Sequence, residues 1–64
     1  MNEEKTPFTG EKLKELRKKY NLKQQEVADG IGVMRNKISQ WENNYNKISN
    51  IYQKVLKDFF DKLG

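Results

Sequence analysis

Apolar residues recur three and four positions apart in four runs: Leu13, Leu16 and Tyr20; Val27, Ala28 and Ile31; Met34, Ile38 and Trp41; then Ile51, Tyr52, Val55, Leu56, Phe59, Phe60 and Leu63. That spacing puts each run on one side of an α-helix, so the pattern predicts an all-α chain. Gly32 separates the second run from the third, and glycine is the residue that turns left-handed without steric cost. Two short helices joined in this way form a helix-turn-helix.

The first helix has a well-formed start. Thr9 can cap it, Phe8 can pack on Leu13 as a hydrophobic staple, and Glu11 lies in the first turn. It is expected from about Gly10 to Tyr20, with Leu13, Leu16 and Tyr20 inward. Lys12, Lys14, Glu15, Lys18 and Lys19 form a mostly solvated face. Arg17 is the anomaly, because helical spacing places it on the buried stripe. A guanidinium there needs a carboxylate, for which Glu42 is best placed; otherwise Arg17 reaches out to solvent as general positive charge.

Asn21-Leu22-Lys23 reads as a connection, with Asn21 a left-handed stop and Leu22 a core plug. Gln24 opens the second helix. Gly30 lowers helix propensity by roughly 1 kcal/mol relative to Ala, so this helix is expected to end around Asp29 or Gly30.

The third helix divides its residues. At about 100° per residue, Met34, Ile38 and Trp41 share an arc of roughly 60°, and Arg35, Asn36, Ser39, Gln40 and Asn43 share another of roughly 140°. One arc suits a core and the other a polar partner. Arg can donate to guanine N7 and O6, Asn and Gln match adenine N6 and N7, and Met34 at the border can touch a thymine methyl. An ordinary solvated face is the competing reading, although such faces are usually richer in Glu and Lys.

The polar stretch Asn43-Asn44-Tyr45-Asn46-Lys47 follows directly, and Asn43 or Asn44 can take the left-handed conformation that closes a helix. Its amides, Asn side chains and Lys47 are placed to meet phosphates flanking a groove. Ser49 or Asn50 caps the last helix. Ile51, Val55, Leu56 and Phe59 are expected to close the core. Phe60 and Leu63, with Tyr52, are then surplus, which points to a dimer surface.

Composition narrows the function. The 64 residues allow one domain, with residues 1–7 as a flexible arm ended by Pro7 and residues 8–64 as the folded unit. There is no Cys and no His, so no disulfide, zinc site or other cofactor is expected. Net charge is +4 and the isoelectric point about 9.4, which fits a polyanionic partner. A mean hydropathy of −1.08 could suggest disorder, but unfolded segments have no reason to be periodic. With no membrane span and no secretion signal, the cytoplasm is the expected compartment. An enzyme is not expected, because no general base, nucleophile or carboxylate cluster converges.

The run Gln24-x-x-Val27-Ala28-x-x-x-Gly32-Val33-x-Arg35-x-x-Ile38-Ser39-x-Trp41-Glu42 resembles the phage repressor and Cro type of helix-turn-helix regulator, the Xre-like family. The resemblance covers about residues 8–59. It implies a compact lambda-repressor-like bundle of four helices, or five, whose third helix docks in the major groove. It further implies that Gln24 bonds a phosphate, that Met34, Arg35, Asn36 and Gln40 read bases, and that Lys37 and Asn43 contact the DNA backbone. Ser39, Asn44 and Lys47 complete the expected backbone set. Arg17 pairing with Glu42 is implied as well, in agreement with the argument from the buried stripe.

Departures from the family pattern matter. Lys23 replaces the usual Ser or Thr cap, Asn44 stands where Gly is typical, and Ile48 where Pro is frequent. Phe60 replaces the Gly that ends the fourth helix, so that helix is expected to run on to about Lys62 in place of a short fifth. The expected function is a bacterial or phage-encoded regulator, most simply a repressor, that binds a near-palindromic operator on double-stranded DNA as a homodimer. The rival is a protein-interaction module, an antitoxin-like partner that uses its last helix. Single-stranded or RNA binding is disfavoured because the aromatic residues are expected in the core.

Overall fold

In a computed structural model that describes residues 8–64, four helices follow one another: α1 (Gly10–Lys19), α2 (Gln24–Ile31), α3 (Arg35–Glu42) and α4 (Asn50–Leu63). The arm expected over residues 1–7 lies outside the described residues. The described residues contain no strand, and the fold is the expected all-α helix-turn-helix bundle with a lengthened last helix.

Three of the four helix starts have a local side-chain cause, while α3 starts after Met34 with no side-chain cap. Thr9 Oγ1 accepts from the Lys12 N–H at 3.2 Å, and Ser49 Oγ from the Tyr52 N–H at 3.5 Å. At α2 the residue before the helix is Lys23, which cannot accept. Glu26 replaces the missing cap from the other side, its carboxylate accepting from the Lys23 N–H at 2.7 Å.

The ends of α1, α2 and α3 share one solution. Asn21 (φ 58°), Gly32 (φ 77°) and Asn44 (φ 63°) turn left-handed. In each case the next N–H reaches back to a carbonyl five residues earlier: Leu22 to Arg17 at 2.9 Å, Val33 to Ala28 at 3.0 Å, and Tyr45 to Gln40 at 2.9 Å. The turn between α2 and α3 therefore needs Gly32 for its backbone alone, since nothing lies near the space a side chain would fill.

Helix α2 runs on to Ile31, past the expected end near Asp29 or Gly30. Packing overrides the propensity of Gly30, because the Phe59 ring of α4 sits where a Cβ at Gly30 would be. Gly10 works in the same way. A Cβ there would collide with the Trp41 carbonyl, so the start of α1 can close on the end of α3 only because residue 10 has no side chain.

The core gathers Phe8, Leu13, Val27, Ala28, Ile38, Trp41, Ile48, Leu56 and Phe60, with Leu16, Tyr20, Leu22, Ile31, Val33, Tyr52 and Phe59 packed around it. Two assignments on α4 are reversed. Ile51, expected in the core, is 73% exposed, while Phe60, expected on a dimer surface, is 3% exposed. The cause is an aromatic cluster: Phe60 packs on Phe8 at 6.3 Å, on Tyr20 at 6.1 Å and edge-on to Phe59 at 5.1 Å between centroids. Tyr52 is likewise half-buried, its ring 5.3 Å from Trp41. Of the three residues expected at a dimer surface, Leu63 alone is exposed.

Ile48 was a departure from the family pattern and is a core residue. Its burial anchors the polar loop to the bundle, and its carbonyl accepts from Gln53 Nε2 at 2.9 Å while Gln53 Oε1 accepts from the Phe8 N–H at 3.3 Å.

Candidate nucleic-acid interface

The site is built on α3, which is gripped from behind. Ile38 and Trp41 are buried, and so is Glu42 at the end of the helix. With that face committed, Arg35, Asn36, Lys37 and Gln40 are left exposed and Ser39 half-exposed. Burial of the indole thus decides which side chains face solvent.

Met34 departs from the helical-wheel assignment. It was grouped with Ile38 and Trp41 but is 76% exposed. The wheel assumes helical backbone, and Met34 is the residue before α3, with extended φ −79° and ψ 149°. The side chain therefore leaves the inward arc and stands at the entrance to the exposed face, beside Arg35.

The orientation of α3 is set by a polar network below it. Arg17 Nε donates to Glu42 Oε2 at 2.7 Å and Nη2 to Oε1 at 2.9 Å, a two-pronged pair. Arg17 Nη1 also donates to the Leu22 carbonyl at 2.9 Å, and Gln24 Nε2 donates to Glu42 Oε1 at 3.1 Å. One carboxylate thereby joins α1, the start of α2 and the end of α3. The hydrogen bond to Glu42 holds the Arg17 guanidinium more firmly protonated than usual, reinforced by charge attraction and opposed by burial. Gln24, expected at a phosphate, spends one amide hydrogen on Glu42 and keeps its other hydrogen and its carbonyl.

The loop after α3 stays beside the exposed face. Asn43 Nδ2 donates to Ser39 Oγ at 3.3 Å, and Asn46 Nδ2 donates to Gln40 Oε1 at 3.0 Å. Asn44, Asn46 and Lys47 line one groove with Thr9 and Gly10 at the start of α1. Lys37 Nζ lies 5.9 Å from the Trp41 ring centroid, at the edge of the same face. Arg35, Asn36 and Gln40 are thus brought to one surface with Met34, Lys37, Asn43 and the loop.

Sequence reasoning missed two residues there. Tyr45 is 78% exposed, against the expectation that the aromatics are committed to the core, and its place in an all-polar loop was the available signal. Asn46 is expected only as one of the loop's Asn side chains near phosphates, and nothing in its spacing points to its bond with Gln40.

Among the described residues no helix is long and apolar enough to cross a membrane. No curated protein and no solved structure matches the chain. A family model described as a helix-turn-helix domain matches residues 10–64, from the first residue of α1 to the end of α4. The buried back of α3, the left-handed Gly32 and the exposed polar front are the parts of such a domain, and the chain belongs to the helix-turn-helix domain family of DNA-binding folds.

Proposed function

We propose that the protein is a sequence-specific regulator of transcription, acting as a repressor, which binds a near-palindromic operator as a homodimer with one α3 in each of two successive major grooves. The observation that carries this reading is the exposed set Arg35, Asn36 and Gln40 on a helix whose opposite face is locked by Ile38 and Trp41. Bound across a promoter, such a dimer excludes polymerase.

Roles divide by chemistry. Arg35, Asn36 and Gln40 carry donors and acceptors that match base edges, and Met34 offers an apolar contact to a thymine methyl. Gln24, Lys37, Ser39, Asn43, Asn44 and Lys47 hold the phosphates and set the register. The test begins with selection of bound fragments from random duplex DNA. Arg35→Ala is expected to lower the ratio of operator to random-DNA affinity by about tenfold, and equal losses on both duplexes would remove Arg35 from base reading.

A second reading rests on the exposed Ile51 and Leu63 of α4, which suit a protein partner. Salt separates the two. Binding carried by phosphates weakens steeply between 50 and 200 mM salt, whereas apolar docking of α4 does not.

A further inference from the structure

Gln40 is not a free side chain. The left-handed Asn44 folds the chain back at the end of α3, and the Tyr45 N–H clamps this reversal on the Gln40 carbonyl at 2.9 Å. The fold-back delivers Asn46 to the Gln40 side chain, where Asn46 Nδ2 donates to Gln40 Oε1 at 3.0 Å. Both residues are exposed, and Gln40 stands one helical turn beyond Asn36 on α3.

A side-chain amide is two-ended, with a carbonyl that accepts and an NH2 that donates. A glutamine free to rotate can offer either end to a base. Here the carbonyl is the end engaged by Asn46 at the loop, which leaves the NH2 as the end that bond does not use.

We propose that Asn46 is a positioning residue that pins the Gln40 amide at the loop and so restricts how it is presented to the base. With Asn46 in place Gln40 acts chiefly as a donor and favours a base presenting an acceptor in the major groove, a purine N7, guanine O6 or thymine O4. Docking excludes water from this surface, which strengthens the Asn46–Gln40 bond at the moment the choice is made. The proposal rests on α3 entering the groove.

The experiment compares wild type, Gln40→Ala, Asn46→Ala, Asn46→Asp and the double Ala variant. Each is titrated on a selected operator, on duplexes substituted at every operator position, and on random duplex, with helical content checked by circular dichroism. Gln40→Ala is expected to flatten the base preference at one position by about tenfold. Asn46→Ala should weaken the preference at that same position several-fold, leave the others unchanged, and add nothing in the Gln40→Ala background. Asn46→Asp can only accept, so it captures the Gln40 NH2 and leaves the carbonyl as the end that bond does not use. The preference should then move toward adenine N6 or cytosine N4, on top of a uniform loss from the added negative charge.

If Gln40→Ala flattens one position while Asn46→Ala leaves it intact, or lowers binding evenly everywhere, the positioning role is overturned and the groove reading stands. If Gln40→Ala flattens no position, Gln40 does not read a base and this proposal falls with that part of the function.

Discussion

At the scale of single residues the most consequential pair is Arg17 with Glu42, and its two members are not equally replaceable. The Glu42 side chain is 3% exposed and that of Arg17 15% exposed. Removing Arg17 leaves a buried carboxylate with Gln24 as its remaining partner. Removing the charge of Glu42 leaves a long side chain that can move its head to water and keep the Leu22 carbonyl. Arg17→Met is therefore expected to cost about 3–5 kcal/mol, and Glu42→Gln distinctly less. Urea midpoints at constant slope measure both, and the reverse order would show that the carboxylate is not the desolvated partner. Arg17 was legible in the sequence because a charge on an apolar stripe demands an explanation. Only the inward place of Met34 on the helical wheel fails, because periodicity is silent about where a helix begins and one residue of extended backbone turns that position outward.

At the scale of elements, helix ends and helix contacts make opposite demands on small residues. Asn44 holds φ 63° to close α3, a conformation that costs an ordinary residue about 1–2 kcal/mol. Asn44→Ala should destabilise by about that amount, and Asn44→Gly should be neutral or mildly stabilising. Gly30 makes the contrary case. By propensity alone Gly30→Ala would stabilise α2 by about 1 kcal/mol, yet the Phe59 ring occupies the space of the new methyl and overpacking costs about 1–3 kcal/mol. Gly30→Ala is expected to destabilise in the wild type and to stabilise in a Phe59→Leu background. The same sign in both backgrounds would show that the ring does not limit residue 30. All four helices and their order were readable from apolar spacing, cap residues and the left-handed stops. What spacing could not deliver was the choice of face on α4, whose apolar residues wrap too far round for periodicity to rank them. Which ones turn inward depends on Phe8 and Tyr20, remote in sequence, meeting Phe60.

At the scale of the whole molecule, burial of Phe60 removes the main support for a dimer surface along the end of α4, and the case for two copies rests on DNA geometry. Helix α3 has 8 residues and is about 12 Å long, a span of about three or four base pairs along one strand. On the proposed groove reading, so short a helix specifies few positions, and each wrong base pair costs only about 1–3 kcal/mol. A second copy related by a two-fold axis doubles the positions read and converts the second docking into an intramolecular event. Three consequences follow for a duplex carrying both half-sites. Occupancy should rise with about the second power of protein concentration, a duplex cut to one half-site should bind at least about a hundredfold more weakly, and inserting half a helical turn between half-sites should abolish the gain. Lys47→Gln should lower affinity for operator and random duplex alike and reduce the slope of log affinity against log salt by about 1 for each copy bound, because a phosphate contact carries no base information. Tight binding of one copy to one half-site, indifferent to the spacing of a second, would leave the groove contacts of α3 in place and end the dimer reading.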